Sequence, residues 1–404
     1  MTASPDPRCP DSIAAVVVGA GPAGLAAAAA LRPLGRVLVL ERSARPAASW
    51  HGRYPSLRLN STRRRSALPG LPIDASDRWL SGVDYARYLA DYRAHFRIDV
   101  RVNTTVTRLD PHGWGWLAST ADGCVRAAQA VVATGWDHTP AIPDWPGLDG
   151  FTGTFGHVAD YHGAGPFAGR RVLLVGSGTS AGEIAIDLVR DGAREVTMAM
   201  RTPPTIFPRE WRGLPLAAFA GLLDAVPRPA ADAAGAAVQR LCNGPRKAYR
   251  LPPPPEGIAT AVSRRRRPPM MSDGIVAALR SGQLSVVPEV VGFDGPAVLL
   301  AGGRRLVVDA VIAATGYRRG LDRLVGHLGV LDQRGEPLTD GGIAARGHPG
   351  LWFLGFGAPL GGQLHLIARQ ARRLARESAR QPLPVGHADA HPIPQAAKSS
   401  WSRR

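Results

Sequence analysis

Lysine is nearly absent from this sequence: Lys247 and Lys398 are the only two. The formal charge of +17 at pH 7 is therefore carried by arginine. Arginine beside abundant alanine, glycine and proline reads as a compositional habit of the whole chain. Nucleic-acid recognition needs basic residues interleaved with aromatics on one face. The runs Arg63–Arg65 and Arg264–Arg267 have no such aromatics, and the second leads into Pro268 and Pro269. No nucleic-acid partner is expected, although some of these arginines suit an anionic ligand. Cysteine is scarce too. Cys9, Cys124 and Cys242 are scattered without a CxxC pair. This argues against a redox dithiol and for a reducing, cytoplasmic compartment. The eleven histidines are dispersed, and no metal is expected because nothing has metal-ligand spacing. Neither a Ser-His-Asp pattern nor a pair of catalytic carboxylates stands out. The uncharged stretch from Ile13 to Leu31 is broken by glycines and Pro22 and is rich in weakly inserting alanine, so no membrane span is expected. Asp6 and Asp11 flank it and no basic segment precedes it, which argues against a secretory leader.

What is present is glycine in two telling places. The first is Gly19-Ala20-Gly21-Pro22-Ala23-Gly24, after the apolar run from Ile13 to Val18. Glycine serves where a backbone turns with positive φ and approaches a phosphate. Gly19 would make the turn, Gly21 would admit a pyrophosphate, and Gly24 would let a helix pack on the strand. Pro22 suits a first helical turn. The helix would run through Leu25 and the alanines to a stop near Gly35. A second buried strand, Val37 to Leu40, ends in Glu41, where a ribose diol would be held.

The second place repeats the pattern. Val172 to Val175 is followed by Gly176-Ser177-Gly178-Thr179-Ser180-Ala181, then by a helical stretch from Glu183 to Leu188. The next strand, Val196 to Met200, ends in Arg201 instead of an acid. A guanidinium there can pair bidentately with a 2′-phosphate, so NADPH is expected over NADH. Two such units in one chain imply two dinucleotides, with electrons passing between them.

At 404 residues the chain can bury a full core and form two domains. We expect an α/β fold of two Rossmann-like dinucleotide-binding domains; that the NADPH domain is inserted into a split FAD domain is what the family resemblance set out below implies. The expected boundaries are 1–166 for the first FAD part, 167–292 for the NADPH domain, and 293–381 for the second FAD part. Residues 211–269 read as an insertion, with Pro252–Pro255 and helical patterns around Leu214–Val226 and Ala231–Leu241. It could roof a substrate cavity or be inert. The tail 382–404 is rich in proline, alanine and histidine and is expected to be disordered. An amphipathic helix is expected from about Gly361 to Gln381, with Leu364, Ile367 and Leu374 on one face.

Further motifs carry a resemblance. Val131-Val132-Ala133-Thr134-Gly135 lies between the two turns. It is followed by Pro140-Ala141-Ile142-Pro143 and by Phe151-Thr152-Gly153-Thr154-Phe155-Gly156-His157-Val158-Ala159-Asp160-Tyr161. Asp309 to Arg318 contains Ala314-Thr315-Gly316-Tyr317. Over roughly residues 12 to 375 this order resembles the flavin-containing monooxygenases, the class B flavoprotein monooxygenases. Phe151, Gly153, His157 and Tyr161 match that family's FxGxxxHxxxY fingerprint. Tyr161, where Baeyer–Villiger members carry tryptophan, favours the heteroatom-oxidising and YUCCA-like branch. Pro208-Arg209-Glu210 and the run from Met271 to Gly282 resemble the YUCCA-like, indole-3-pyruvate members. The chain departs from the pattern at Ala47-Ala48-Ser49-Trp50, where a glycine pair before tryptophan is usual, and at Ala181, which replaces the third glycine of the second turn.

The resemblance implies an enzyme that uses FAD, NADPH and molecular oxygen to insert one oxygen atom into a small organic substrate of heteroatom or 2-oxo acid type, through a C4a-(hydro)peroxyflavin. The flavin does the chemistry, and the protein positions it and keeps water out. Asn60 stands where the family places a flavin-facing asparagine, with a turn-capping role as the simpler reading. The implied cofactor contacts also include Arg42, Trp50, Val106, Ala133, Thr134, Gly135, Thr315, Gly316 and Gln363. Gly361 and Gly362 would place a helix start near the flavin pyrimidine. His157 reads first as a satisfied linker histidine and second as a chemical participant. Arg209 could meet a substrate carboxylate. Baeyer–Villiger oxygenation and an NADPH oxidase releasing hydrogen peroxide stay open as alternatives, and so does a homodimer.

Overall fold

The computed structural model of the protein describes residues 13–113 and 115–380. The tail expectation for 382–404 and the residues Asp6, Cys9 and Asp11 lie outside that range. The strand Ile13–Val18 is buried along its whole length. A continuous apolar run of this kind suits a parallel strand covered on both faces. It pairs in parallel with Val37–Leu40 on one side and with Gly123–Val132 on the other. Asp99–Arg101 and His348–Phe353 extend the parallel core outward. Val106–His112 and Gly115–Thr120 add an antiparallel flap onto Gly123–Val132. Ala344–Ala345 pairs antiparallel with His348–Phe353, and the result is an eight-stranded mixed sheet. Helix Pro22–Leu31 is buried except at Pro22, and its alanines let it lie between the sheet and the helix Gln363–Ser378. Leu364, Ile367, Ala371 and Leu374 of that last helix face inward, with Arg372 and Arg373 outside.

The second sheet has five strands in the order Leu284–Val287, Glu195–Ala199, Arg171–Val175, Ala310–Ala313, Thr154–His157, all parallel. Two of these strands, Thr154–His157 and Ala310–Ala313, lie beyond the expected boundaries at 167 and 292. Ala310–Ala313 is buried throughout and Thr154–His157 only at His157, so pairing, and not a shared local pattern, reveals where each belongs. A three-stranded antiparallel sheet, Val290–Asp294, Ala297–Leu300 and Arg305–Val307, precedes the return strand.

The insertion contains helices Leu216–Ala220, Arg228–Asn243 and Ile258–Arg265. Sequence periodicity located the first two and missed the third. Strands Ile206–Phe207 and Met270–Met271 pair in parallel and close the insertion at its base. No helix among the described residues is long and apolar enough to cross a membrane. Cys124 is disulfide-bonded, which removes the support that the scattered cysteines gave to a reducing compartment. Cys242 is a free thiol.

Candidate functional site

Gly19 adopts φ +103°, and a Cβ there would stand 2.7 Å from the Ala133 carbonyl oxygen. A Cβ on Gly24 would come within 1.8 Å of the Gly19 carbonyl oxygen, so helix and turn meet backbone to backbone. Gly21 has nothing within 4 Å of that position. It is the N-cap of helix Pro22–Leu31 and supplies no side-chain cap, which leaves the helix's first N–H groups for a ligand. The turn opens into a cavity of about 530 Å³ lined by Gly19, Gly21, Pro22, Ala23, Glu41 and Arg42 at one end. Trp50, Val106, Ala133, Thr134, Gly135 and Gln363 line it elsewhere. Twelve of the expected contact residues thus converge on one space of the size of a cofactor site. Gly24 works behind the wall.

Glu41 is buried, and its carboxylate accepts from the N–H groups of Ala20 at 2.8 Å and Ser43 at 2.9 Å. It therefore fixes the turn while still facing the cavity. Arg42 reaches His138, with Nη1 and the His138 Nε2 2.9 Å apart. Gln363 donates to the Gly355 carbonyl and opens helix Gln363–Ser378. Trp50 packs edge-on to Tyr85 with ring centres 4.6 Å apart.

Asn60 does not line the cavity. Its neighbour Ser61 abuts Gly362, one residue from the cavity wall at Gln363. The Asn60 Oδ1 and the Thr134 Oγ1 are buried without a hydrogen-bond partner. Buried polar atoms ordinarily find partners, so these two fit a polar group that completes the site. The open Gly21 cradle, the free helix start and these orphaned acceptors all suit a dinucleotide.

The second turn mirrors the first. Gly176 adopts φ +146°, and a Cβ there would stand 2.3 Å from the Ala314 carbonyl oxygen. Each turn thus presses on the residue before a Thr-Gly crossing, Thr134-Gly135 for one and Thr315-Gly316 for the other. Gly178 caps helix Thr179–Arg190 without a side-chain bond. Ser177 lines a smaller cavity of about 60 Å³. Thr179 is tied to Pro269 and Met271 and not left free for a ligand. Ser180 lies beside the Tyr54 hydroxyl. Arg201 is exposed at the strand end.

The fingerprint residues pack mainly within the half built on the second sheet and touch the first half through Tyr161 and Tyr54. His157 Nδ1 accepts from the Ala159 N–H at 3.1 Å, so its Nε2 carries the proton and donates to the Gly316 carbonyl at 3.1 Å. Burial holds its pKa below the usual imidazole value. The linker reading of His157 fits this geometry. The Tyr161 hydroxyl donates to Asp187 at 2.8 Å, and its ring meets Tyr54 edge-on at 5.8 Å. Phe151 packs on Phe293 at 5.2 Å, and its ring leaves no room for a side chain at Gly153. Thr315 Oγ1 donates to the Ala141 carbonyl at 2.6 Å, and Gly316 accepts from the Ala141 N–H at 2.9 Å. Arg209 is buried and already engaged by Glu183 and Asp273, so its expected role as a free carboxylate receptor is corrected.

Sequence reasoning missed Arg53, Thr104, Asp137, His138 and Gly320 in the cavity wall. Arg53 pairs with Asp137, and Arg319 lies 4.1 Å over the Trp136 ring. None of these belongs to a local pattern; chain crossings bring them together.

Comparisons with known proteins agree with this geometry. The flavin-binding monooxygenase-like family matches residues 122–325, and the pyridine nucleotide-disulphide oxidoreductase family matches residues 16–209. Indole-3-pyruvate monooxygenase YUCCA1 of Oryza sativa subsp. japonica is 33% identical over 85% of this chain and 86% of its own. Probable indole-3-pyruvate monooxygenase YUCCA3 of Arabidopsis thaliana is 30% identical over 84% of this chain and 81% of its own. A flavin-containing monooxygenase from Stenotrophomonas maltophilia superposes with a TM-score of 0.70 at 25% identity, covering 92% of this chain and 99% of its own. Given two glycine turns built alike, a cavity that gathers the expected contacts, and relatives aligned over most of their length, the chain belongs to the flavin-binding monooxygenase-like family and is a flavoprotein oxidoreductase whose cofactors are FAD and NADPH.

Proposed function

We propose that this enzyme spends NADPH and molecular oxygen to place one oxygen atom on a small organic substrate, either a heteroatom compound or a 2-oxo acid. The observation that carries the reading is the 530 Å³ cavity, which joins the open Gly21 cradle to Trp50 and Gln363. We assign FAD to this cavity and NADPH to the second turn. Bound flavin supplies hydride acceptance and oxygen activation. The chain's own residues do the rest. Gly21 and the first turn of helix Pro22–Leu31 would receive the pyrophosphate, and Glu41 the ribose. Asn60 would offer an amide that donates or accepts without titrating. His157 holds the Gly316 crossing, which fixes how the domains meet. Arg201 lies at the strand end, where a 2′-phosphate would be read. The relatives named for indole-3-pyruvate oxygenation support the 2-oxo acid member of the substrate class.

The test uses the purified protein. It should be yellow with FAD, NADPH should bleach it under argon, and NADH should do so less efficiently. Aerobic turnover with indole-3-pyruvate, tertiary amines and sulfides should give a product carrying one labelled atom from ¹⁸O₂. Ester or lactone formation from ketones instead would move the enzyme to Baeyer–Villiger chemistry. Stoichiometric peroxide with every substrate would make it an oxidase. A flavin that NADPH leaves oxidised would remove the reading altogether.

A further inference from the structure

Glu183 and Asp273 close Arg209 to a substrate carboxylate, but another arginine beside the cavity wall has no acid at all. Arg65 lies on the short helix Arg63–Ser66, which begins three residues after Asn60. The Arg65 N–H donates to the Thr62 carbonyl at 2.9 Å, and Ser66 Oγ stands 2.8 Å from Ser61 Oγ. Arg65 is thus fixed to the same turn as Asn60. Its Nη2 donates to the Gly361 carbonyl at 3.2 Å, directly before the helix start at Gly362 and Gln363. The insertion reaches the same point. A Cβ on Gly361 would stand 3.0 Å from Arg65 Nη2 and 3.1 Å from Gly221 Cα. Three separate segments therefore meet at one guanidinium, two residues from the cavity wall at Gln363.

The surroundings of that guanidinium are one-sided. Arg65 is half-buried and makes no ion pair among the described residues. Its Nε is buried without a hydrogen-bond partner. Helix Arg63–Ser66 packs on helix Gln363–Ser378, where His365 and Arg369, four residues apart, share a face. Burial first, then Arg369, press against the Arg65 charge. A half-buried cation without a counter-charge carries a desolvation cost that a bound anion offsets. The rim that the insertion adds is apolar. Phe219, two residues before Gly221, is 48% exposed, and Leu222, next to it, is 67% exposed. Leu223 packs against the cluster that holds Leu360. A guanidinium fork beside exposed apolar side chains matches an organic acid with an apolar body. In a 2-oxo acid the keto carbon is bonded to the carboxylate carbon, so a group that anchors one anchors the other.

We propose that Arg65 receives the carboxylate of a 2-oxo acid substrate beneath the insertion segment around Gly221, and so selects acids over neutral compounds. The inference rests on the monooxygenase reading and names the residue that decides its substrate class.

The experiment measures kcat and KM of the FAD-loaded protein at saturating NADPH, with indole-3-pyruvate and with its methyl ester, which keeps the ketone and loses the charge. Arg65→Gln is expected to lower kcat/KM for the acid by about tenfold or more, through KM, and to leave the ester within about twofold. Arg65→Lys keeps the charge but loses the fork and should fall between. Glutamine still offers the Gly361 carbonyl a donor, and the substitution removes an unpaired cation. Flavin content should therefore hold, and the ligand-free melting temperature should stay level or rise. If Arg65→Gln takes the acid as well as the parent does, or the parent takes acid and ester alike, the inference fails and the oxygenase reading stands. If the parent oxygenates sulfides or amines but no 2-oxo acid, the inference fails together with the acid half of the substrate class. If the parent oxygenates nothing, both readings fail. A variant that loses flavin, or loses both substrates equally, would make Arg65 merely structural and overturn the inference.

Discussion

The Tyr54 hydroxyl donates to the Glu183 carboxylate at 2.6 Å, joining the first domain to helix Thr179–Arg190 of the second. Arg209 completes the junction. Its guanidinium engages Glu183, pairs with Asp273 at 2.7 Å and donates to the Arg58 carbonyl at 3.4 Å.

Tyr54→Phe removes one donor from a buried carboxylate and should lower stability by about 1–3 kcal/mol. Arg209→Ala strands Glu183 without its cation and should cost more, about 3–5 kcal/mol. Urea denaturation of both variants checks the ranking. An Arg209→Ala protein as stable as Tyr54→Phe would mean that the junction is solvated.

Burial pushes the Glu183 carboxyl up to about 7 from its ordinary 4.5, against the pull of Arg209. The folded protein then holds this proton at pH values where the unfolded chain has released it. The contribution to stability is therefore present below about pH 4.5 and is lost as pH rises toward 7. Glu183→Gln cannot ionise, so the stability difference between variant and parent should widen in the variant's favour over that window. Urea midpoints measured across pH 4 to 8 would show it; parallel curves would contradict the shift.

Gly24→Ala and Gly21→Ala should separate packing from binding. The added methyl at Gly24 meets the Gly19 carbonyl at 1.8 Å and must displace helix or turn. Loss of about 3 kcal/mol and of bound flavin together is expected. At Gly21 the methyl meets no protein atom within 4 Å. That variant should fold with a nearly unchanged melting temperature and still purify with little flavin, which the ratio of flavin to protein absorbance reads directly.

Asn60→Ala should leave the fold intact, because the Oδ1 has no partner to lose. Its consequence should appear in turnover as more hydrogen peroxide released per NADPH consumed. Unchanged coupling would return Asn60 to a turn-capping role.

Both glycine turns could be recognised before any coordinates, because a positive φ, a close backbone approach and a buried β-branched run each leave a local trace. The fingerprint from Phe151 to Tyr161 was visible as a motif, but its work was not. His157 bonds to Gly316, far along the chain, and Tyr161 to Asp187. Pairings of this kind have no periodicity to read. The same holds for Arg53 with Asp137 and for the strand Ala310–Ala313, whose sheet is decided by partners 130 or more positions away. Arg209 shows the opposite failure. Its motif drew attention to the right residue, but only the folded arrangement reveals that two carboxylates already occupy it.

The chain passes between its halves twice, and the passages run side by side: Tyr317 pairs with Pro140 and Arg318 with Thr139, antiparallel. Drawing the halves apart would have to break those pairings, so the two crossings act as one tie between them. Each glycine turn packs against its own crossing at Ala133 or Ala314, which anchors both nucleotide cradles to that single tie.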